Sequence, residues 1–168
     1  MLKLICACAV VSGAFIIGNI KAGELLKREK SLLMFIYAVS EIKSAVNYCA
    51  TPIQELFKML DEREVYKKTG IFKLDFSQYD KKTSQLFEEK IKLSAKQLCL
   101  NKDDLQIICS FFENLEQSDR DGAIAICERT LSNLEKNRIQ AYEKSLINGR
   151  LYRTLGLFTG VIAVLLFI

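Results

Sequence analysis

The sequence predicts an all-α protein, an antiparallel helical bundle inserted between an N-terminal and a C-terminal transmembrane helix. Three observations lead there. Apolar runs at the two ends, Leu4–Ile20 and Leu155–Ile168, enclose a strongly charged middle. Pro52 is the single proline in 168 residues and glycines number 8, so long stretches carry no helix breaker. Within the middle, apolar residues recur at spacings of three and four, and no run shows the period of two that a strand needs.

The first element is a span over residues 1–20. At 1.5 Å per residue its apolar run covers about 26 Å, close to the hydrocarbon thickness of a bilayer. A cleaved signal peptide is the weaker reading, because the run continues past Ser12-Gly13-Ala14 to Ile20. The last element, over residues 151–168, is shorter and reaches spanning length if Arg150 and Arg153 snorkel toward the headgroups. Between them, residues 21–150 form one domain on one side of the membrane. Lys21, Lys27, Arg28 and Lys30 follow the first span, and Arg138, Lys144, Arg150 and Arg153 precede the second. Only Lys3 lies beyond. The basic bias places the domain in the cytoplasm and makes the lipid bilayer a partner.

The first domain helix carries Leu25, Arg28, Leu32, Phe35, Val39, Ile42 and Val46 on one seam and is expected to continue from the first span. It stops before Thr51-Pro52-Ile53-Gln54, a start signal in which Thr51 would be the N-cap and Gln54 would reciprocate. The second helix turns Ile53, Leu56, Phe57 and Leu60 inward and frays near Lys67–Gly70. The segment from Ile71 to Tyr79 is expected to be a short helix. The next runs from about Thr83 to Leu98 on Leu86, Phe87, Ile91 and Leu98. Asn101 caps a further helix whose face is Leu105, Ile108, Cys109, Phe112 and Leu115, with Asp103 and Asp104 in its first turn. After a turn at Gln117–Asp121, the final helix shows Ile124, Cys127, Leu131, Leu134, Arg138, Ala141 and Ser145. The first and last helices are expected to lie antiparallel, either seam to seam or each facing the inner helices.

Small residues mark contacts inside the membrane. Gly13 follows Ala9, Gly18 follows Ala14, and Gly160 follows Gly156, each pair one turn apart on a single helix face. Such faces let backbones approach closely, within one chain or between copies in a homo-oligomer.

Chemistry is sparse. No histidine is present, which removes imidazole bases and His-ligated metal sites. Glu88-Glu89 and Asp103-Asp104 are adjacent, so their side chains diverge on a helix. Cys49, Cys99, Cys109 and Cys127 read as reduced core residues, a membrane-tethered enzyme or thiol sensor being the rival. The formal charge of +4 is accounted for by membrane-flanking bases, so no nucleic-acid partner is implied. No cofactor or metal is expected and no enzymatic activity. Glu113, Glu116, Asp119 and Asp121 form an acidic cluster around Arg120, a candidate surface for a basic partner.

Several segments carry a resemblance. Tyr48, Thr51-Pro52 and Glu55 resemble a Tyr-x-x-Thr-Pro-Leu-x-Glu segment of the stage III sporulation protein AB family. Leu115 and Asp119-Arg120 resemble part of its Leu-Gly-x-x-Asp motif, with Glu116 where glycine is usual. Arg150 through Gly156, including Arg153, resembles its closing Lys-Met-Tyr-Arg-Ser-Leu-Gly. The resemblance implies a subunit of the channel that links mother cell and forespore, in the outer forespore membrane on the mother-cell side. The family is similar to the cytoplasmic domains of type II secretion and type IV pilus platform proteins. By that likeness the partners are a cytoplasmic secretion-type ATPase of the same operon and other membrane subunits of the channel. A general secretion or pilus platform outside sporulation is the further alternative.

Overall fold

The computed structural model describes residues 2–49, 51–76 and 82–167. Side chains are described for 12–48, 51–76 and 82–152, and beyond these for Thr154, Leu155, Gly156, Phe158 and Ile162. Six helices follow in order: α1 Leu2–Cys49, α2 Ile53–Glu62, α3 Glu64–Lys67, α4 Thr83–Leu98, α5 Lys102–Gln117 and α6 Arg120–Phe167. No strand occurs among the described residues. The chain divides into two compact units, Met1–Glu29 with Ile139–Ile168, and Lys30–Arg138.

Lys30–Arg138 is a bundle built around phenylalanine. Phe57 of α2, Phe87 of α4 and Phe112 of α5 meet pairwise, with ring centroids 4.2–5.3 Å apart. Phe72, in the connector after α3, adds ring contacts to Phe35 of α1, to Phe57, Phe87 and Phe112, and edge-on to Tyr66. Each such pair adds about 0.5–1.5 kcal/mol beyond its buried area. Leu32, Ile42, Leu60, Ile91 and Leu134 complete the buried core.

The connector departs from expectation. Among the described residues 71–76 no helix forms: the chain turns through Gly70, at φ 59, and residues 73–75 take no regular secondary structure. Tyr79, the expected end of that helix, lies outside the described residues. Ile71 and Phe72 are both buried, so core filling rather than helical periodicity explains the apolar content of this segment. The Lys90 ammonium, donating to the Lys73 carbonyl oxygen, fastens the connector to α4.

The start of α2 also differs. Thr51 does not cap it; its hydroxyl turns back to the Ala45 carbonyl oxygen of α1, and Pro52 occupies the cap position with no side-chain bond. Helix α2 ends earlier than expected, at Arg63, whose ψ of 126 breaks the chain into the short α3. By contrast α4 begins and ends at Thr83 and Leu98 as the spacing indicates, and Asn101 caps α5.

Within Lys30–Arg138, α1 and α6 are antiparallel neighbours: Lys43 pairs with Glu128 at 2.8 Å, and Arg120 donates to the Asn47 carbonyl oxygen. The α1 seam also faces inward, where Phe35 meets Phe72 of the connector.

Met1–Glu29 with Ile139–Ile168 is a helical hairpin. A Cβ placed on Gly18 would stand 2.5 Å from the Tyr152 carbonyl oxygen, and one on Gly156 would stand 2.8 Å from that of Ala14. Gly149 faces the Ala22 methyl. Among the described residues, no helix is long and apolar enough to cross a membrane. Both expected spans are helical over the described residues, but many of their side chains, 1–11 and most of 153–168, lie outside those described.

Candidate functional site

The sequence-selected acidic cluster resolves into separate roles. Glu116, on α5, accepts the Thr83 N–H at 3.0 Å and the Ser84 N–H at 3.3 Å, while the Ser84 hydroxyl donates to it at 2.5 Å. These N–H groups open α4 and have no partner within the helix. A carboxylate there also meets the positive end of the helix dipole. Asp119 is the N-cap of α6, its Oδ1 accepting the Gly122 N–H at 2.9 Å. Arg120 reaches the carbonyl oxygens at the end of α1 through Asn47. Two of the four acidic residues therefore close helix ends, Glu116 at the start of α4 and Asp119 at the start of α6. Glu113 and Asp121 are exposed.

Asp104 shows what the local reading missed. It is fully buried, exchanges hydrogen bonds with Asn101, and accepts Asn137 Nδ2 of α6 at 2.8 Å. The Asn101-x-x-Asp104 spacing signals the reciprocal cap. The tie to Asn137, across 33 positions, has no local signal.

A groove of about 500 Å³ opens between α1 and the α2–α3 break, lined by Tyr37, Glu41, Tyr48, Arg63, Val65 and Tyr66, among others. At its base the Tyr66 hydroxyl donates to Glu41 Oε1 at 2.9 Å. Burial and the Glu41 carboxylate push the Tyr66 phenol well above its ordinary 10.0. Arg63 Nε stands 3.3 Å from Glu41 Oε2, yet that oxygen is buried and receives no hydrogen bond. Sequence reasoning did not single out this groove, because its members come from three helices.

The thiols lack the environment of reactive ones. Burial pushes Cys127 up from 9.0 to about 11, with the Lys43 ammonium opposing, and burial raises Cys109 as well. A thiolate is thus disfavoured at both. Cys99, Cys109 and Cys127 are free, and Cys99 holds a left-handed φ of 56 at the end of α4. Cys49 lies outside the described side chains. Among the described residues, no group of three His, Cys, Asp or Glu side chains is placed to hold a metal ion.

Residues 3–168 match the family described as stage III sporulation protein AB. The chain belongs to that family. It is 22% identical over 169 residues to the stage III sporulation protein AB of Bacillus subtilis (strain 168), covering 99% of each chain. No solved structure matches it.

The segments through which the chain resembles other stage III sporulation protein AB sequences have distinct structural duties. Thr51, Asp119 and Arg120 close helix ends around the junction of α1, α2 and α6. Glu116, in the segment that resembles the Leu-Gly-x-x-Asp motif, caps α4. Gly156 lies against Gly18 in the hairpin, whereas Gly13 has nothing within 4 Å of an added Cβ. Pro52 and Glu55 are exposed, and Tyr48 is 84% exposed. Arg153 and Gly160 lie outside the described side chains.

Proposed function

We propose that this stage III sporulation protein AB family member is a non-enzymatic, two-pass membrane subunit of a sporulation channel, acting as a platform for a cytoplasmic ATPase. In this reading residues 1–20 and 151–168 cross the membrane and 21–150 face the cytoplasm. The observation that carries it is the distribution of residue sizes in the hairpin. Ala14, Gly18, Ala22, Gly149 and Gly156 line the helix–helix seam, while Phe15, Ile16, Ile17, Ile20, Leu151, Leu155, Phe158 and Ile162 are exposed. A hairpin folding in water would bury the large apolar side chains. In lipid, apolarity gives no association between helices, and small residues that permit close approach do. The apolar run from Leu4 and the basic residues after Ile20 agree with this arrangement.

The platform role rests on family membership and on the likeness to secretion platform domains. The raised thiols speak against a thiol sensor, and the helix-closing duties of Glu116 and Asp119 supply structure instead of catalysis. Of the candidate partner surface Glu113, Glu116, Asp119 and Asp121, all but the half-buried Glu116 are exposed acidic groups for the ATPase.

Alkaline carbonate washing of membranes tests the anchoring, and the full chain is expected to stay with the pellet. Reporter fusions at both termini should give the signal of the external side. Release of the intact chain by carbonate would overturn the membrane reading. Co-purification of the operon's ATPase with the full-length chain, weakened by the double change Glu113→Lys and Asp121→Lys, tests the platform reading.

A further inference from the structure

We infer that one face of the helical hairpin, Met1–Glu29 with Ile139–Ile168, binds an anionic phospholipid, with an acyl chain in an apolar groove and the phosphate on the basic residues where that groove ends. The inference rests on the membrane reading above and names a partner for it.

The groove, of about 420 Å³, lies over the close contact of Gly18 with Gly156. Glycine at both positions sinks its floor to the backbone. Ile17 of α1 and Leu155 of α6, both exposed, form its walls. Lys21 and Tyr152 stand at the end toward Ala22 and Gly149. The concavity is therefore hydrocarbon along its length and polar at one end.

Beyond that end the same stripes carry positive charge. Ala14, Ile17, Lys21 and Arg28 follow one stripe of α1 at spacings of three, four and seven. Leu155, Tyr152, Asn148 and Lys144 follow one stripe of α6 at spacings of three and four. Ala22 stands opposite Gly149, so Arg28, six residues along α1, and Lys144, five residues back along α6, come to about the same height. Lys144 is exposed and has no ion-pair partner among the described residues. Glu24 is the acid of this face and pairs with Lys21 at 2.9 Å, the two side chains 45% and 56% exposed. A pair so exposed holds little energy, and an ammonium carries three donors, so Lys21 stays accessible to a phosphate.

Two parts of different chemistry select the occupant. An inorganic phosphate leaves the apolar walls uncovered. A transmembrane helix of another subunit covers the walls but carries its apolar surface on toward Lys21, Arg28 and Lys144, whose charges it desolvates without a partner. A phospholipid matches both parts. Its hydrocarbon lies against Ile17 and Leu155, and its phosphate accepts charge-assisted hydrogen bonds from the bases. Three bases against one acid favour an anionic headgroup over a zwitterionic one.

The test purifies the full-length chain in mild detergent, adds phosphatidylglycerol or phosphatidylcholine, and counts the lipid retained by native mass spectrometry. A single phosphatidylglycerol per chain is expected, in clear excess over phosphatidylcholine. Ile17→Trp fills the groove from its exposed rim and should abolish retention. Lys144→Gln should lower it about fivefold, the effect of one base beside an anionic headgroup. Lys27→Gln, which removes an exposed base off these stripes, should leave it unchanged. Equal retention of the two lipids overturns the inference, and so does indifference to Ile17→Trp. An effect of Lys27→Gln as large as that of Lys144→Gln also overturns it, by reducing the site to general charge attraction. Carbonate washing of the same chains keeps the two readings apart. A chain that stays in the pellet yet retains no lipid loses this site alone, whereas a chain released from the membrane loses the anchoring as well.

Discussion

The hydroxyl of Ser84 donates to the carboxylate of Glu116 at 2.5 Å, so a residue near the end of α5 closes the beginning of α4. Two backbone N–H groups of α4 join the same carboxylate.

Replacing Glu116 by alanine should therefore destabilise the bundle by about 1–3 kcal/mol, the range for leaving half-buried donors unsatisfied. Glu116→Gln keeps an acceptor and should lose less. Urea denaturation of the full chain in detergent, followed by circular dichroism, gives the ordering. Equal stability for alanine and wild type would remove Glu116 from the cap role.

Phe72 makes ring contacts to residues of α1, α2, α3, α4 and α5 from a segment that has no helix of its own. Phe72→Ala should cost about 3–5 kcal/mol by cavity formation. Leu86→Ala, at a half-buried position of α4, should cost distinctly less in the same denaturation series.

The hairpin glycines are not equivalent. Gly18→Val and Gly156→Val meet backbone that cannot yield, whereas Gly13→Val meets open space. The first two should separate the helices, and the third should leave them paired. Disulfide formation between cysteines introduced at Ala22 and Gly149 reads this out: high yield with Gly13→Val and low with the other two.

Stability should fall in a defined alkaline window through Cys127. Its folded value, about 11, stands above the ordinary 9.0, so the folded chain holds the proton more tightly than the unfolded chain. The contribution is complete below pH 9 and is lost as pH rises toward 11. Cys127→Ala should flatten stability across that window, apart from a uniform packing loss. Measured below it, at pH 8, the native thiol should react with Ellman's reagent far more slowly than after unfolding.

Helices whose signals are local were legible in the sequence. α4 was readable from Thr83 to Leu98 through its three-four spacing, and α5 through Asn101 with its following aspartates. Thr51 was misread because the hydroxyl had two acceptable partners, the next helix's amides and the Ala45 carbonyl of the previous one. The apolar connector was misread because Ile71 and Phe72 satisfy a core without any helical period. Glu116 looked like surface because its three donors lie 32 or 33 positions earlier. The Tyr37–Tyr48–Val65 groove was invisible for the same reason, since concavity arises only after α3 has folded back beside α1.

Asn101 with Asp104 caps α5 just after its short turn from α4, and Glu116 ties the far ends of the two helices together through Thr83 and Ser84. All of those ties join residues 3 to 33 positions apart, while Lys43 reaches Glu128 across 85. Contacts of short sequence separation close first. During synthesis residues 82–117 leave the ribosome before α6 does, so this pair of helices can assemble as a nascent hairpin and wait for the C-terminal helix to complete the bundle.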